Sequence, residues 1–262
     1  MISPGLLKRS RLLTGCACAV FAMLTAGAGC STTPPAPTVS GKTLTVYLSA
    51  PSNLAGNSAA QDAIDAEKLA FTQLSGQVKG YTLKLQVVKA NKTSDNARSA
   101  IEDKTSVAYL GEVGPGSSVD SLGITNGQDL LQVSPTPAAS VPTKDLESFS
   151  TYGRTFASMA PNSDQAAQAI LGGSAGKAFV RGFRSTYGHA PSPRAILGYA
   201  AAAAVLKALQ KAGSGANDRG TVRSDFFVLK GAQLLAGPGG PELGTYTVAK
   251  DGTVTITAAS AP

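Results

Sequence analysis

The residues best suited to chemistry lie in one loop, Tyr109 to Ser121, which reads YLGEVGPGSSVDS. Loops rich in glycine and serine bind phosphates, hold a nucleophile, bind a small ligand or simply turn the chain. A phosphate-binding P-loop needs a lysine before its Ser or Thr, whereas Gly116 is followed directly by Ser117 and Ser118. The glycines also lack the G-x-G-x-x-G spacing of a dinucleotide site. The loop therefore does not predict nucleotide binding.

Catalysis finds little support in the sequence. The loop has no G-x-S-x-G nucleophile elbow, and no cluster of metal ligands is evident along the chain. His189 is the single histidine and lies in a Pro-rich turn, which favours a surface position. A histidine base also needs a nucleophile as its partner. We therefore expect a protein that is not an enzyme and that uses no cofactor and no metal ion.

The first 29 residues are typical of an export signal. Three basic residues precede an apolar run from Leu12 to Leu24, which is too short for a stable membrane span. Small residues then lead to Cys30 in the segment AGAGC, which resembles a bacterial lipobox, although Gly27 stands where leucine is typical. LTGC, ending at Cys16, fits the pattern better but follows too short an apolar stretch. We expect Cys30 to be the lipidated residue, with Cys16 as the alternative.

The rest of the chain is predicted to be a thiol-free domain on a tether. The Pro/Thr-rich segment STTPPAPTVSG follows Cys30 and would hold a lipid-anchored domain off the membrane. We predict a signal peptide over 1–29, a lipid-anchored linker over 30–42 and one α/β domain over 43–262. No cysteine follows Cys30, so the domain has neither disulfides nor cysteine chemistry. Removal of the three leader cations lowers the net charge from +7 to +4, and the scattered basic residues do not predict nucleic-acid binding.

Short β-branched runs alternate with helical patterns in the first half of this domain. Strands are predicted over Thr43–Leu48, Thr82–Val88, Ser106–Leu110 and Leu130–Val133, and helices over Ala59–Ser75, Asp95–Lys104 and from about Ser117. This alternation is typical of an open parallel sheet with crossover helices. Further helices are predicted over Asp164–Leu171, Ala178–Tyr187 and Arg194–Ala212, followed by a β-hairpin that turns at Asp251–Gly252.

The carboxyl ends of the parallel strands form the expected ligand edge. In open α/β sheets ligands bind beyond that edge, and the loops 49–54, 111–118 and 134–136 converge there. Free N–H groups at a helix start, with the hydroxyls of Ser117 and Ser118, suit a carboxylate. The same serines are equally suited to capping the helix. The local sequence leaves both interpretations open.

Four segments in a fixed order resemble a known family. They are TLTVYLSAPSNLAGNSAAQDAIDAEKLAFTQLSGQVKGYTLKLQVV, SVAYLGEVGPGSSVDS, LLQVSPTPAA and FVRGFRSTYGHAPSPRAILGYAAAAAVLKALQKAG, and they cover most of Leu44 to Gly213. Together they resemble the type I periplasmic binding proteins, in particular the leucine/isoleucine/valine-binding receptors of ABC transporters. In that family the Gly–Ser and Ser-Pro-Thr loops hold the carboxylate and amino group of the ligand. The resemblance implies ligand-binding roles for Ser117, Ser118, Ser134 and Thr136, with Ser49 in a wall of the site.

The sequence departs from this family in one respect. Only residues 140–178 separate SPTPAA from FVRGFRSTYG, where the family has a second α/β lobe that closes over the ligand. The resemblance therefore implies a single lobe, an open parallel sheet with helices on both faces, and YGRTFASMAPNSDQAAQAI resembles the start of the missing lobe.

The implied function is that of an extracytoplasmic solute-binding lipoprotein on the outer face of the cell membrane. Its ligand would be a branched-chain amino acid or a related small acid, and its partners an ABC permease or a second subunit that completes the site. The alternative is a single-lobe envelope scaffold or sensory lipoprotein that transports no ligand.

Overall fold

The protein is described by a computed structural model over residues 35–54, 56–114, 117–137 and 155–259. The predicted signal peptide, Cys16 and Cys30 lie outside these residues. Pro115 and Gly116 of the loop that opens the sequence argument lie outside them too.

The strands of the described residues form one eight-stranded sheet. They are β1 (Thr43–Ser49), β2 (Thr82–Val88), β3 (Ser106–Leu110), β4 (Leu131–Pro137), β5 (Phe156–Met159), β6 (Ala232–Leu235), β7 (Glu242–Val248) and β8 (Thr253–Ala258). Their order across the sheet is β2-β1-β3-β4-β5-β8-β7-β6. The pairs from β2 to β8 are parallel, and the β8–β7 and β7–β6 pairs are antiparallel. The predicted open, mostly parallel α/β sheet is confirmed.

Helices cover both faces of the parallel part. They are α1 (Ser58–Leu74), α2 (Thr93–Glu102), α3 (Val119–Asn126), α4 (Ser163–Gly172), α5 (Ser174–Tyr187), α6 (Pro193–Ala212) and α7 (Arg219–Phe226). The main core lies on the face covered by α1 and α6. On the opposite face, Tyr47 and Tyr109 pack against Ala97 and Ala100 of α2. Alternate residues of β1 and β3 thus serve two cores, because side chains alternate between the faces of a strand.

The two central helices, α1 and α6, pack unusually closely. A Cβ atom at Gly198 would lie 2.1 Å from the carbonyl oxygen of Ala63, so this position of α6 has no room for any side chain. The alanine run Ala200–Ala204 continues the small surface of α6 and is buried. The small residues therefore allow the two helices to cross at close distance above the sheet.

The C-terminal hairpin also forms as predicted. β7 and β8 pair antiparallel, and the Asp251 carboxylate accepts a hydrogen bond of 2.9 Å from the amide of Thr253 in the turn. β8 returns beside β5 in parallel and so joins the hairpin to the main sheet. The sequence did not predict this pairing or the short edge strand β6.

Other predictions differ in detail from the structure. The helix predicted over Asp95–Lys104 begins at Thr93, and its N-cap is Lys92. The predicted loop 134–136 is instead part of the end of β4, because this segment pairs with β5. The segment that resembles the start of a second lobe supplies β5 and α4, which belong to the same sheet and the same core.

Candidate functional site

The carboxyl ends of β3 and β4 meet the start of α1 at a small cleft. It has a volume of about 140 Å³, and we call it the edge cleft. Its lining comprises Asn57, Ala59, Ala60, Ala63, Val113, Gly114, Pro135, Thr136 and Arg194. It therefore lies between the first turns of α1 and the ends of β3 and β4, where ligands bind in open α/β sheets.

The edge cleft lies at the positive end of a helix dipole. The α1 helix begins here, with the Asn57 side chain accepting a hydrogen bond of 3.1 Å from the amide of Ala60. A helix of this length directs the positive end of its dipole into the cleft. None of the described residues that line the cleft is acidic. The cleft is therefore suited to an anionic group.

Arg194 supplies a fixed charge at the same place. It lies in the first turn of α6, and its Nη2 is 2.8 Å from Oδ2 of Asp164. A guanidinium group has five N–H donors, and Asp164 takes one. Among the described residues no other acceptor contacts Arg194, so the remaining donors are open to a ligand. A cation in the first turn of a helix is disfavoured by the dipole, which argues against a purely stabilising role.

Thr136 is the predicted site residue that lines the edge cleft. Its hydroxyl accepts a hydrogen bond of 2.8 Å from the amide of Gly114 and lies 3.4 Å from the carbonyl oxygen of Glu112. Ser134 lies behind it: its hydroxyl donates to the same carbonyl at 2.6 Å and accepts from the amide of Thr136 at 3.1 Å. These two hydroxyls thus tie β4 to the loop after β3.

The two serines of the loop also bond to its main chain. The Ser117 hydroxyl donates to the carbonyl of Gly114 at 2.7 Å, and Ser117 is half-buried. The Ser118 hydroxyl accepts a hydrogen bond of 3.3 Å from the amide of Glu112 and is buried. Ser118 is the N-cap residue of α3, yet its side chain makes no capping hydrogen bond. Neither serine of this pair is among the residues that line the edge cleft.

Ser49 lies below the edge instead of in its wall. Its side chain is fully buried at the end of β1, where it accepts a hydrogen bond of 2.8 Å from the Asn96 amide and donates to the Glu112 carboxyl group. Gly111 passes directly over it, since a Cβ atom at Gly111 would lie 2.8 Å from that of Ser49. Glu112 itself is completely buried, and this burial raises its pKa to about 7.

A second, larger cleft adjoins the first and shares Asn57 with it. It has a volume of about 500 Å³ and is lined by Ala50, Pro51, Ser52, Leu54, Gly56, Asn57, Ser58, Gln61, Lys68 and Lys89. Lys68 pairs with Asp65 at 2.9 Å, and Lys89 is exposed. Lys89 thus adds a positive charge at this larger cleft, while the charge of Lys68 is balanced by Asp65.

The part of the chain that the structure describes holds no arrangement typical of hydrolysis. The one G-x-S-x-G match, Gly172 to Gly176, joins α4 to α5, whereas a nucleophile elbow joins a strand to a helix. His189 is half exposed, with its Nδ1 3.8 Å from Oδ1 of the buried Asp62. In the described residues, no three His, Cys, Asp or Glu side chains are grouped as around a metal ion. Nor does any helix of the same residues have the length and apolar character to cross a membrane.

Comparisons with known proteins identify the fold. No protein-family profile matches the chain, and no curated protein is similar to it in sequence. Solved structures do match, and they are ABC-transporter substrate-binding proteins. The chain thus has the fold of the branched-chain amino acid substrate-binding proteins of ABC transporters, as its sequence resemblance implied.

At least four of these structures contain a bound small molecule, and three of them serve for comparison. A substrate-binding protein from Desulfitobacterium hafniense in complex with Leu has a TM-score of 0.59 at 12% identity, covering 83% of this chain and 96% of its own. A branched-chain amino acid transporter substrate-binding protein from Streptococcus pneumoniae in complex with isoleucine has a TM-score of 0.56 at 10% identity, covering 82% of this chain and 94% of its own. A solute-binding protein from R. palustris in complex with benzoate has a TM-score of 0.57 at 11% identity, covering 82% of this chain and 91% of its own.

Sequence reasoning predicted a ligand edge at the carboxyl ends of the strands but did not consider the charged residues near it. It treated Arg194 only as the start of a helix and did not consider Glu112. Arg194 is separated from β4 by more than fifty residues, so no local spacing links it to the strand ends. The sequence did contain one signal, the Pro193–Arg194 pair at the start of a predicted helix. A cation in the first turn is disfavoured by the helix dipole, which indicates a role for Arg194 other than stabilising the helix.

Proposed function

We propose that this protein is an extracytoplasmic solute-binding protein that holds a small carboxylic acid at the edge cleft. The observation that carries the proposal is the guanidinium group of Arg194, with unused donors, beside the N-terminus of α1 and the hydroxyl of Thr136. Guanidinium groups bind carboxylates with charge-assisted hydrogen bonds. The bound Leu, isoleucine and benzoate of the structural neighbours are all carboxylic acids, which supports this ligand class.

The size of the edge cleft supports a site that needs a second surface. Pockets that bury a small ligand have volumes of about 300–1,000 Å³. The edge cleft, with about 140 Å³, accommodates part of a ligand and leaves the rest exposed. A second subunit or a permease would then complete the site. We further propose that the chain is exported with a signal over 1–29 and anchored through Cys30, with 30–42 as its tether and 43–262 as its α/β domain.

The experiment is a binding titration with L-leucine, L-isoleucine and benzoate on the wild type and on Arg194→Gln. Loss of a charge-assisted hydrogen bond costs about 1.5–3 kcal/mol, so the dissociation constant should rise roughly 10- to 100-fold. Arg181→Gln is the matched control, because Arg181 is an exposed arginine on α5 outside both clefts. It should bind as the wild type does. Equal weakening by both variants would refute a specific role for Arg194.

A scaffold without a ligand is the second candidate, and one observation favours it. The hydroxyls of Ser117, Ser118 and Ser134 are all engaged within the protein, so three predicted ligand contacts would need to rearrange. A thermal-shift panel separates the two functions, because a ligand at about 100 times its dissociation constant stabilises the folded state by roughly 2.7 kcal/mol. The absence of any shift at millimolar concentrations of all three acids would favour the scaffold.

A further inference from the structure

Glu112 connects the ligand edge to the interior of the sheet. Its carboxyl group accepts hydrogen bonds from the hydroxyl of Ser49 on β1 and from the hydroxyl of Tyr109 on β3. Asn96 of α2 in turn donates to Ser49 at 2.8 Å. The side chain, which lies two residues after the end of β3, is thereby fixed to two strands and, through Ser49, to a helix.

The main chain of the same residue holds the other parts of the edge. Its carbonyl accepts from Ser134 at 2.6 Å and lies 3.4 Å from the hydroxyl of Thr136, and its amide donates to Ser118 at 3.3 Å. The carbonyl group of Glu112 therefore holds the end of β4, and its amide group holds the start of α3. Thr136, which lines the edge cleft, is among these residues.

We propose that Glu112 is the positioning residue of the ligand edge: its buried side chain fixes residues 111–114 after β3, and its peptide groups then place Thr136, Ser134 and Ser118. The inference rests on the proposed function, since it concerns how that same site is held. No contact between Glu112 and a ligand is required.

The cost of burying a carboxyl group makes this placement specific. A buried polar group is tolerated only where hydrogen bonds satisfy it, because leaving it unpaired costs free energy. In this position of the loop the Glu112 carboxyl group accepts hydrogen bonds from both hydroxyls. An apolar side chain of similar size would make neither hydrogen bond. The carboxyl group therefore selects one loop conformation among those that the packing permits.

The charge state of Glu112 is expected to affect the edge. The ionisable groups that face it are Tyr109 from β3 and Glu67 from α1, and Lys68 acts on Glu67. Glu67 is fully buried and both of its carboxyl oxygens lack a partner among the described residues. Burial, and then the nearby Glu112 charge, raise the pKa of Glu67 well above its usual value.

Ionisation of Glu112 should therefore loosen the edge. Burial raises the pKa of Glu112 to about 7, so the carboxyl group gains a charge away from water as the pH rises through neutrality, and this disfavours its buried position. The wild type should lose ligand affinity over the same range. A ligand carboxylate stays ionised throughout, so the ligand itself does not cause the change.

Two variants and one control test this role, with L-leucine and benzoate as probes. Glu112→Gln cannot ionise, and its amide oxygen and amide NH2 group can still form hydrogen bonds with the two hydroxyls. Glu112→Leu keeps the size and removes the hydrogen bonds. Glu102→Gln, at an exposed carboxyl group on α2, is the control. The dissociation constants are measured at about pH 6 and about pH 8. For a group that ionises near pH 7, the ratio of the ionised to the protonated form rises roughly tenfold with each pH unit.

We expect the wild type and the control to bind about threefold or more weakly at the higher pH, while Glu112→Gln binds equally at both. Glu112→Leu should bind about tenfold more weakly than the wild type at the lower pH, since it leaves the edge unfixed. Unchanged affinity in Glu112→Leu, or the same pH profile in Glu112→Gln and the wild type, would overturn the proposal.

Amide hydrogen exchange separates this proposal from the proposed function. The amides of Gly114 and Thr136 report directly on the edge, because they donate to Thr136 and Ser134 side chains. In Glu112→Leu their protection should fall relative to that of amides within α6. If no probe binds the wild type, the proposed function fails, and this protection ratio still decides the role of Glu112. If Glu112→Leu does not fold, the ratio in Glu112→Gln against pH decides it: a constant ratio supports the proposal, and the wild-type profile refutes it.

Discussion

Glu112→Gln should remove a pH-dependent part of the stability of this protein. Burial raises the Glu112 pKa from 4.5 to about 7, while the unfolded chain keeps the ordinary value. Each unit of pKa difference corresponds to about 1.36 kcal/mol, so the folded state gains roughly 3 kcal/mol from holding this proton. The gain is fully present below about pH 4.5, falls as the pH rises, and is lost above about pH 7. The free energy of unfolding should therefore decrease over this interval.

Urea unfolding followed by circular dichroism, in half-unit steps from about pH 4.5 to 8.5, measures this effect. The wild-type curve minus the Glu112→Gln curve should fall by roughly 3 kcal/mol across the interval. Burial also raises the pKa of Glu67 and of Asp129, the latter to about 6, but both residues remain in each protein. The difference curve thus reports Glu112 together with its coupling to Glu67.

The surface variant Glu102→Gln is the control for the same chemical change, and its difference curve should be flat. A flat difference curve for Glu112→Gln would show that the buried carboxyl group binds its proton no more tightly than the unfolded chain does. A curve that rises with pH would show that the hydroxyl donors Ser49 and Tyr109 outweigh burial and favour the ionised form. Either result would refute the reasoning about the buried group.

Three further substitutions test the packing that positions the site, each by chemical denaturation. Gly198→Ala should cost several kcal/mol, about 3 or more, because its methyl group would collide with the Ala63 carbonyl, whereas Gly182→Ala on α5 has open space and should stabilise by about 0.5–1 kcal/mol; equal effects would refute the close crossing. Asn57→Ala should cost about 1 kcal/mol through loss of the α1 cap, and an unchanged midpoint would contradict it. Tyr199→Phe should cost about 1–3 kcal/mol, because its hydroxyl is buried between an acceptor and a donor, and a neutral result would show that neither bond stabilises the fold.

The local pattern of the sequence determined most elements of the fold. β2 and β3 have the predicted bounds, and α1 begins one residue before its predicted start, with Asn57 as its cap. These features depend on side-chain periodicity and on hydrogen bonds within a few residues, which the sequence displays directly. The alternation of strands and helices likewise predicted a parallel sheet, and with it the edge at which a ligand would bind.

Pairing between distant strands decided what the local pattern did not. β5 has four residues and β6 four, too few for a periodic signal, and both exist because a neighbouring strand offers hydrogen bonds. The same pairing extends β4 through Ser134 and Thr136, although two prolines suggested a loop.

The tertiary structure alone decided what each polar residue of the ligand edge does. The sequence determined that hydroxyl groups gather after β3 and β4, but the direction of each hydroxyl depends on groups from other elements. Ser49 and Ser118 turn towards Glu112, and only Thr136 of the predicted residues lines the edge cleft. Arg194 reaches the same cleft because α6 crosses α1 closely above the sheet. Burial then gives Glu112 its raised pKa, and burial is a property of the folded chain as a whole.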